Sequence, residues 1–332
     1  MKILFVIDRI ELKYFEFNNL VTNFWLIKEL LSRGFDVFIS TIDMLSLKSG
    51  VPYSATYRSF LRDENIFYDD KSLKSFMVND FDLVLFRPDP PVDLDYINAT
   101  YVLDFVDRSK TVILNETKSI RDFNEKLHAV HFNEYMPENI VTANKIDILQ
   151  FLKTHNEIIL KPLNKCFGSG VMYLKYGDKN TSVVINNATN NGTNLVMVQK
   201  YLKNAEFGDK RVLILGNQVF DYCVRKLPCE NDFKFSIHND NYIVKDTLSS
   251  SEKLKFSSIA KSLNDKGIFM AGLDVIDEKI LEINVTSPCY FIKEINNAFK
   301  INFEKIIVDG IIEIYNSKRH QTLENTSIST SS

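Results

Sequence analysis

The stretch Met270-Ala-Gly-Leu-Asp-Val-Ile-Asp-Glu-Lys-Ile-Leu-Glu-Ile-Asn-Val285 is the most informative local feature of the 332-residue sequence. Its two apolar runs predict the strands of a β-hairpin, joined by a three-residue loop at 277–279. In that register Ile276 faces Ile280, so Asp274 lies directly opposite Glu282. Asn284 falls two residues beyond Glu282 and therefore points to the same face of the sheet.

One face of the predicted hairpin thus gathers three oxygen-bearing side chains, those of Asp274, Glu282 and Asn284. Two facing carboxylates repel each other. Magnesium is a hard cation that takes carboxylates together with substrate phosphates, so this set of ligands suits it. The alternative is a solvated hairpin face with ordinary acidic residues.

A second candidate site lies upstream, where Lys161 follows the apolar run Ile158-Ile159-Leu160 and precedes a loop at 164–171 that contains Gly168-Ser169-Gly170. A lysine at a strand end beside small residues can hold a polyphosphate, because backbone N–H groups approach its oxygens where no Cβ intervenes. The alternative is a surface loop after a strand. No Gly-Lys-Ser/Thr follows, which excludes a Walker-type loop, and the N-terminal strand lacks the glycine pattern of dinucleotide-binding folds.

A third candidate is Arg87-Pro-Asp-Pro-Pro91, which directly follows a predicted strand ending at Phe86. Open α/β sheets place ligands at the carboxyl ends of their parallel strands. Arg87 could therefore clamp a substrate carboxylate in a bidentate way. A rigid proline-rich connection with a local Arg/Asp pair is the alternative.

Composition narrows the function classes. Forty Lys and Arg residues against 43 Asp and Glu residues give a net charge of −3. The chain therefore lacks the excess of positive charge that is typical of nucleic-acid-binding proteins. No run approaches the ~20 apolar residues of a transmembrane helix. Four widely spaced cysteines form no Cys-x-x-Cys pair and, with the five histidines, show no zinc pattern, so we expect a cytoplasmic protein with free thiols and no membrane partner.

Strands and helices alternate through the first third of the chain, as in parallel-sheet proteins, and the later part shifts toward antiparallel pairing. The expected class is therefore α/β with α+β character. Taken in order, five segments resemble the prokaryotic type of glutathione synthetase, an ATP-grasp ligase. They are Arg87 to Pro91, Asn115 through Arg121-Asp-Phe-Asn-Glu-Lys126, Ile159-Leu-Lys-Pro-Leu163, Gly208-Asp-Lys-Arg-Val212 and Leu281-Glu-Ile-Asn-Val-Thr-Ser-Pro288.

The resemblance implies an ATP-grasp fold with a Rossmann-like (pre-ATP-grasp) subdomain at 1–122. A central lid subdomain at 123–200 and a C-terminal subdomain with the metal site at 201–318 would hold ATP between them, followed by a flexible tail at 319–332. It also implies a homo-oligomer.

The resemblance implies roles for residues in four groups. ATP would be bound by Lys126, Lys161, Gly168, Gly170, Gln199, Tyr201, Leu202 and Asp209. Mg²⁺, with Mn²⁺ as the alternative, would be held by Asp274, Glu282 and Asn284, in agreement with the hairpin geometry. The substrates would meet Arg87, Asp89, Arg211, Lys234 and Ser287. The catalytic residues would be Arg211 and Lys161.

The implied reaction uses no side-chain nucleophile: ATP phosphorylates the C-terminal carboxylate of γ-glutamylcysteine, and the amine of glycine attacks the acyl phosphate. Two loops depart from the family pattern. Bulky Lys165, Cys166 and Phe167 stand in the phosphate loop, and in the lid at 229–247 Lys234 replaces an arginine, which keeps the charge and loses the bidentate fork. The alternatives are therefore a ligase for another carboxylate and amine, or a non-catalytic nucleotide-binding protein.

Overall fold

A computed structural model describes residues 1–14, 21–63, 65–166, 168–228 and 243–329. These residues form three β-sheets that follow one another along the chain, with helices packed against them. The predicted mixed α/β class is confirmed.

The first sheet spans residues 2–114 and has a parallel core. Its strands are β1 Lys2–Ile7, β2 Asp36–Thr41, β3 Leu45–Lys48, β4 Val51–Arg62, β5 Asn65–Tyr68, β6 Lys74–Met77, β7 Leu83–Phe86 and β8 Val112–Leu114. The order is β3-β4-β2-β1-β7-β8, with β5 and β6 also paired to β4, and β2, β1, β7 and β8 run parallel. The accompanying helices are α1 Arg9–Tyr14, α2 Thr22–Ser32, α3 Leu94–Leu103 and α4 Thr117–Arg121.

The parallel core explains the position of three polar residues. Asp8, Arg87 and Asn115 each come directly after one of the neighbouring strands β1, β7 and β8. Residues 3–7 are completely buried because helices cover both faces of this part of the sheet. The polar residues that end these strands therefore meet at one edge.

The second sheet is antiparallel, with the order β11-β10-β12-β9. Its elements are β9 Asn139–Thr142, α5 Lys145–His155, β10 Glu157–Pro162, β11 Met172–Lys175, α6 Thr181–Ala188 and β12 Val196–Lys200. Ile158 and Leu160 of β10 point into a small core of their own beneath α5 and α6. The alternate residues Ile159 and Lys161 therefore face away from that core.

The third sheet is also antiparallel, with the order β16-β15-β13-β17-β18 and β14 paired to β13. Its elements are β13 Asp209–Leu215, β14 Gln218–Val219, β15 Cys223–Lys226, β16 Ile243–Asp246, α7 Ser250–Asp265, β17 Met270–Ile276, β18 Lys279–Asn284, α8 Ile292–Phe299 and α9 Phe303–Ser329. Helix α9 continues into the segment 319–332, for which the sequence predicts a flexible tail. We propose subdomain boundaries at 122, 200 and 318, as the sequence predicts. The first sheet ends before residue 122, the second lies between 122 and 200, and the third lies between 200 and 318.

The β17–β18 hairpin confirms the predicted pairing of Asp274 with Glu282, but its turn and its register differ from those that the sequence predicts. The expected three-residue loop is wrong: the turn has two residues, Asp277 and Glu278, both at positive φ (52° and 58°), and Ile276 pairs with Lys279. Such a turn matches the right-handed twist of paired strands. A bulge between Asp274 and Val275 then absorbs Leu281, which restores Asp274 opposite Glu282.

The hairpin turn is tied to the beginning of α7 through Glu278. Its carboxylate accepts hydrogen bonds from Lys255 Nζ (2.8 Å), Ser249 Oγ (2.8 Å) and Ser251 Oγ (2.9 Å). Lys255 and the two hydroxyls lower the pKa of Glu278 from its usual 4.5 to about 2.

We expect this contact to stabilise the fold above pH 4.5 and to be lost as the pH falls through about 2, because the folded protein holds the carboxylate in its charged form. Glu278→Gln should therefore lower the free energy of unfolding by about 1 kcal/mol at pH 7, after allowance for solvent screening. Chemical denaturation of both proteins at pH 7 and pH 3 measures this, and an equal difference at both pH values contradicts it.

Asn115 fastens the first sheet to the same hairpin. Its side chain is buried and makes four hydrogen bonds: Oδ1 accepts from Phe269 N and Met270 N (both 2.8 Å), and Nδ2 donates to Met270 O (2.8 Å) and Val285 O (2.9 Å). It thus holds the start of β17 and the end of β18 together.

Asn115→Ala should lower the free energy of unfolding by about 3 kcal/mol, because four buried backbone groups lose their partner. Asn79→Ala is a matched control. Asn79 bridges Asp107 and Thr111 near the surface of the first sheet, so about 1 kcal/mol is expected there. Equal losses in the two variants, measured by urea denaturation, would contradict the inter-sheet role of Asn115.

Within the described residues, no helix is both long and apolar enough to cross a membrane.

Candidate functional site

A cavity of about 260 Å³ collects most of the residues that the sequence singles out. They reach it from the second and third sheets and from loops, including the loop that follows β7 of the first sheet. The lining residues that were predicted are Asp89, Lys126, Lys161, Gly168, Gln199, Tyr201, Leu202, Asp209, Arg211, Asp274, Glu282, Asn284 and Ser287. Arg87 and Gly170 do not line it, and Lys234 lies outside the described residues.

The hairpin brings its predicted metal ligands together at this cavity. Asn284 Nδ2 lies 3.2 Å from Asp274 Oδ2, and Glu282 is the cross-strand neighbour of Asp274. Two carboxylates and one amide, all facing the same space, are the oxygen donors that Mg²⁺ prefers. The donor set therefore fits this ion.

Arg211 forms a bidentate pair with Asp274, through Nε to Oδ1 (2.8 Å) and Nη2 to Oδ2 (3.2 Å). The two residues face each other across β13 and β17. Although burial opposes it, Arg211 and then Lys226 hold the pKa of Asp274 well below its usual range. Asp274 is therefore an anion at neutral pH, and Arg211 directs the rest of its guanidinium toward Cys289 O at 3.4 Å.

Lys226 is a cavity residue that the sequence reasoning missed. Its Nζ lies 2.7 Å from Asp209 Oδ2 and 3.3 Å from Asp274 Oδ1, and all three side chains are buried. Burial raises the pKa of Asp209 to about 6 in spite of Lys226, and Asp209 Oδ1 has no hydrogen-bond partner in the structure. Lys226 is the last residue of β15, and no motif in the sequence marks it as a site residue. Its role becomes apparent only from the strand register, which places it opposite Asp209.

Two further lysines face the hairpin from the opposite side of the cavity. Lys126 Nζ donates to Lys165 O (2.7 Å) and lies 3.3 Å from Glu282 Oε2. Lys161 projects from β10, and burial lowers its pKa while Glu282 opposes that effect. The site thus sets two cations against the carboxylates of the hairpin, an arrangement suited to a polyanion bound between them.

Two glycines of the glycine-containing loop adopt backbone conformations that favour glycine. Gly168 and Gly170 both have positive φ (68° and 72°), and a Cβ on Gly170 would come within 3.0 Å of Pro162 Cγ. Cys166 turns aside to donate its thiol to Pro90 O at 3.3 Å. Lys165 lines the cavity and adds a cation there, and Phe167 lies outside the described residues.

An apolar end of the cavity is formed by Ile159, Leu202, Ile276 and Leu281. Gln199 is buried beside it and donates to Leu281 O at 3.4 Å, and Tyr201 packs edge-on against Tyr173 with ring centroids 5.2 Å apart. Flat apolar walls with a few polar groups are typical of sites for an aromatic base.

Glu125 is another cavity residue to which the sequence analysis gave no role, although it precedes Lys126 in a quoted segment. Its Oε1 accepts three hydrogen bonds, from Val285 N (2.7 Å), Thr286 N (3.1 Å) and Thr286 Oγ1 (3.1 Å). Burial raises its pKa. Glu125 therefore fixes the turn that follows Asn284.

Arg87 supports that turn from behind. It is 2% exposed and donates to Pro288 O (3.0 Å) and Asn23 Oδ1 (2.6 Å), with Nη1 3.7 Å from the sulfur of Met270. The expected clamp on a substrate carboxylate thus remains a prediction, and in the structure Arg87 lies beneath the cavity wall.

Comparisons with known proteins agree with this arrangement. The family model of the prokaryotic glutathione synthetase N-terminal domain matches residues 1–121, and that of the corresponding ATP-grasp domain matches residues 125–300. Glutathione synthetase from Vibrio vulnificus (strain YJ016) is 35% identical over 87% of this chain and 91% of its own length. That from Escherichia coli O127:H6 is 32% identical over 87% and 92%.

Solved structures show the same fold. A D-cycloserine synthetase superposes with a TM-score of 0.64 at 12% identity, covering 94% of this chain and 99% of that one. An ATP-grasp ligase solved with a minimal precursor, Mg and ADP gives a TM-score of 0.58 at 14% identity, covering 95% and 98%.

Proposed function

Because this chain belongs to the prokaryotic glutathione synthetase family and is an ATP-dependent C–N ligase, we propose that it joins γ-glutamylcysteine to glycine. ADP and phosphate are the other products. The observation that carries the proposal is the meeting of Lys126, Lys161, Arg211 and the acidic hairpin in one cavity of a chain from this family.

In the proposed site, ATP lies between the second and third sheets. Gln199, Tyr201 and Leu202 bind the adenine, and Asp209 lies near the ribose. Lys126 and Lys161 bind the phosphates, and Lys165 adds a third cation in place of the small residue of the family. The positive φ of Gly168 and Gly170 supports the approach of this loop to phosphate oxygens.

Asp274, Glu282 and Asn284 are the proposed ligands of Mg²⁺, and Mn²⁺ offers the same oxygen-ligand chemistry. When bound, the ion offsets charge on the transferring phosphoryl group. Lys126 Nζ lies 3.3 Å from Glu282 Oε2, so this lysine is placed beside the proposed phosphate position.

The chemistry is positioning and charge neutralisation. A carboxylate oxygen of the donor takes the γ-phosphoryl group, and the bond to ADP breaks. The glycine amine then bonds to the acyl carbon, its excess protons are released, and phosphate leaves with the electrons of the C–O bond. Arg211 stabilises the oxyanion that forms when the amine adds, since Asp274 holds its guanidinium toward Cys289 and the Ser287 turn.

Cytoplasmic location stays a prediction from the composition. Homo-oligomeric assembly and roles for Lys234 and Arg87 in substrate binding stay predictions from the family resemblance. A ligase for another carboxylate and amine is the second candidate, which the replacement of small residues by Lys165 and Cys166 at the cavity favours.

The test is magnesium-dependent phosphate release from ATP with γ-glutamylcysteine and glycine, each omitted in turn, with the product identified by mass. Turnover that requires both substrates is the expected result. ATP binding without turnover on this pair contradicts the proposal and points to another pair or to a non-catalytic role.

A further inference from the structure

Three carboxylates meet beside the cavity at the edge of the first sheet. Asp8 directly follows β1, Glu11 lies three residues later on α1, and Asp89 follows β7 and lines the cavity. Asp89 N donates to Asp8 Oδ2 at 2.6 Å, so the ends of the two strands are joined directly. All three residues are half-buried, and Asp89 lines the cavity.

No lysine, arginine or histidine of the described part of the chain forms an ion pair with these three carboxylates. Arg87 acts on Glu11 and Asp89 at longer range, but its guanidinium is bonded to Asn23 and Pro288. Burial raises the pKa of Glu11 to about 8 and that of Asp89 to about 6, and neighbouring carboxylates add to both effects. The surroundings of the cluster therefore disfavour its anionic forms, and a cation bound beside the three carboxylates would stabilise them.

The hydroxyl of Tyr96 is an independent sign of a missing partner. Tyr96 is 1% exposed and its Oη makes no hydrogen bond in the structure. Glu125, Asp8 and Asp89 all act electrostatically on this hydroxyl. A buried hydroxyl without a partner is costly, so a polar group bound among these carboxylates would complete the arrangement.

We propose that Asp8, Glu11 and Asp89 bind an ammonium group of the donor substrate, namely the α-amino group of γ-glutamylcysteine. This assignment rests on the proposed function. Asp89 accepts a hydrogen bond from Ser287, so the cluster is continuous with the turn at which the donor carboxylate is to be activated. The donor would then extend from Arg211 past Ser287, with its γ-glutamyl end over the three carboxylates.

An ammonium group suits the cluster better than a metal ion. Among the described residues, these acids do not form a group with the spacing needed to hold a metal. An ammonium donates three hydrogen bonds at about 2.8 Å and therefore accepts more widely separated oxygens. It also supplies the positive charge that the cluster lacks.

The test compares γ-glutamylcysteine with glutarylcysteine, which lacks only the α-amino group, at saturating ATP, Mg²⁺ and glycine. The unsubstituted protein should prefer γ-glutamylcysteine by about 100-fold in kcat/KM. Asp8→Asn and Glu11→Gln should each reduce that preference by about 10-fold or more, through a loss on γ-glutamylcysteine alone. Glu29→Gln, which alters a carboxylate paired with Arg33 on α2, should leave the preference unchanged.

Equal use of the two donors by the unsubstituted protein overturns the assignment and leaves the proposed function standing. So does an equal loss on both donors in Asp8→Asn and Glu11→Gln, because that is the signature of a structural role. Thermal unfolding and the KM for ATP show whether the variants are intact. If γ-glutamylcysteine gives no turnover at all, the proposed function fails and this assignment fails with it.

Discussion

Glu282→Ala is expected to reduce magnesium-dependent phosphate release by about 1,000-fold while the protein remains folded. Glu282 is one of two carboxylates among the proposed metal ligands, and it also pairs with Lys126 at 3.3 Å. Its loss therefore removes a ligand and also the carboxylate that pairs with Lys126 and acts most strongly on Lys161. Activity should be measured as a function of Mg²⁺ concentration, because a lost ligand raises the concentration needed for half-maximal activity.

Glu278→Ala is the matched control, since Glu278 belongs to the same hairpin and its carboxylate is bonded to α7 rather than to the cavity. It should lose some stability and keep its turnover. Glu282→Gln keeps the shape of the side chain and should still fail, because a neutral amide replaces the charged oxygen. Unchanged turnover in Glu282→Ala contradicts the metal assignment.

Arg211→Lys is expected to lower kcat by about 100- to 1,000-fold with little loss of fold. Lysine keeps a positive charge beside buried Asp274, so no carboxylate is left unpaired in the core. It cannot, however, bond both oxygens of Asp274 and also reach toward Cys289, as the guanidinium does. The transition-state oxyanion would then lose its proposed donor.

Arg225→Lys is the control for that change. Arg225 lies on the strand next to β13 and also pairs with one carboxylate, through Nε and Nη2 to Asp246 at 2.8 Å and 2.5 Å, away from the cavity lining. It should leave kcat unchanged. If circular dichroism shows that both variants are folded, equal effects of the two substitutions on kcat would contradict the proposed role of Arg211.

Much of the fold could be predicted because the deciding patterns are local. Alternation of apolar and polar residues gave the β17 and β18 strands and put Asp274, Glu282 and Asn284 on one face. The length of the turn was mispredicted. One extra residue can lie either in the turn or in a bulge, and the twist of the paired strands, which the sequence does not show, favours the two-residue turn with a bulge. The pairing of the two acids survived because the bulge compensated for the shorter turn.

Several site residues depend on long-range packing that no local pattern reports. Lys226, Glu125 and Asp8 sit in strands and loops that look ordinary, and they acquire their surroundings only when distant segments meet at the cavity. Long-range packing also surrounds Arg87. It directly follows a parallel strand, a position typical of ligand-binding residues, and in the structure its guanidinium donates to Pro288 O in the turn above it.

The sequence by itself determined the class of fold, the family and the acidic hairpin, because each of these follows from short segments whose pattern can be recognised without knowing which segments meet in space. The tertiary structure alone decided which charges meet. Sheet register sets Lys226 opposite Asp209, and the ends of β1 and β7 bring Asp8 to Asp89. The physical reason is that burial and Coulomb interactions depend on distances through space, which the order of residues does not specify until the strands have paired.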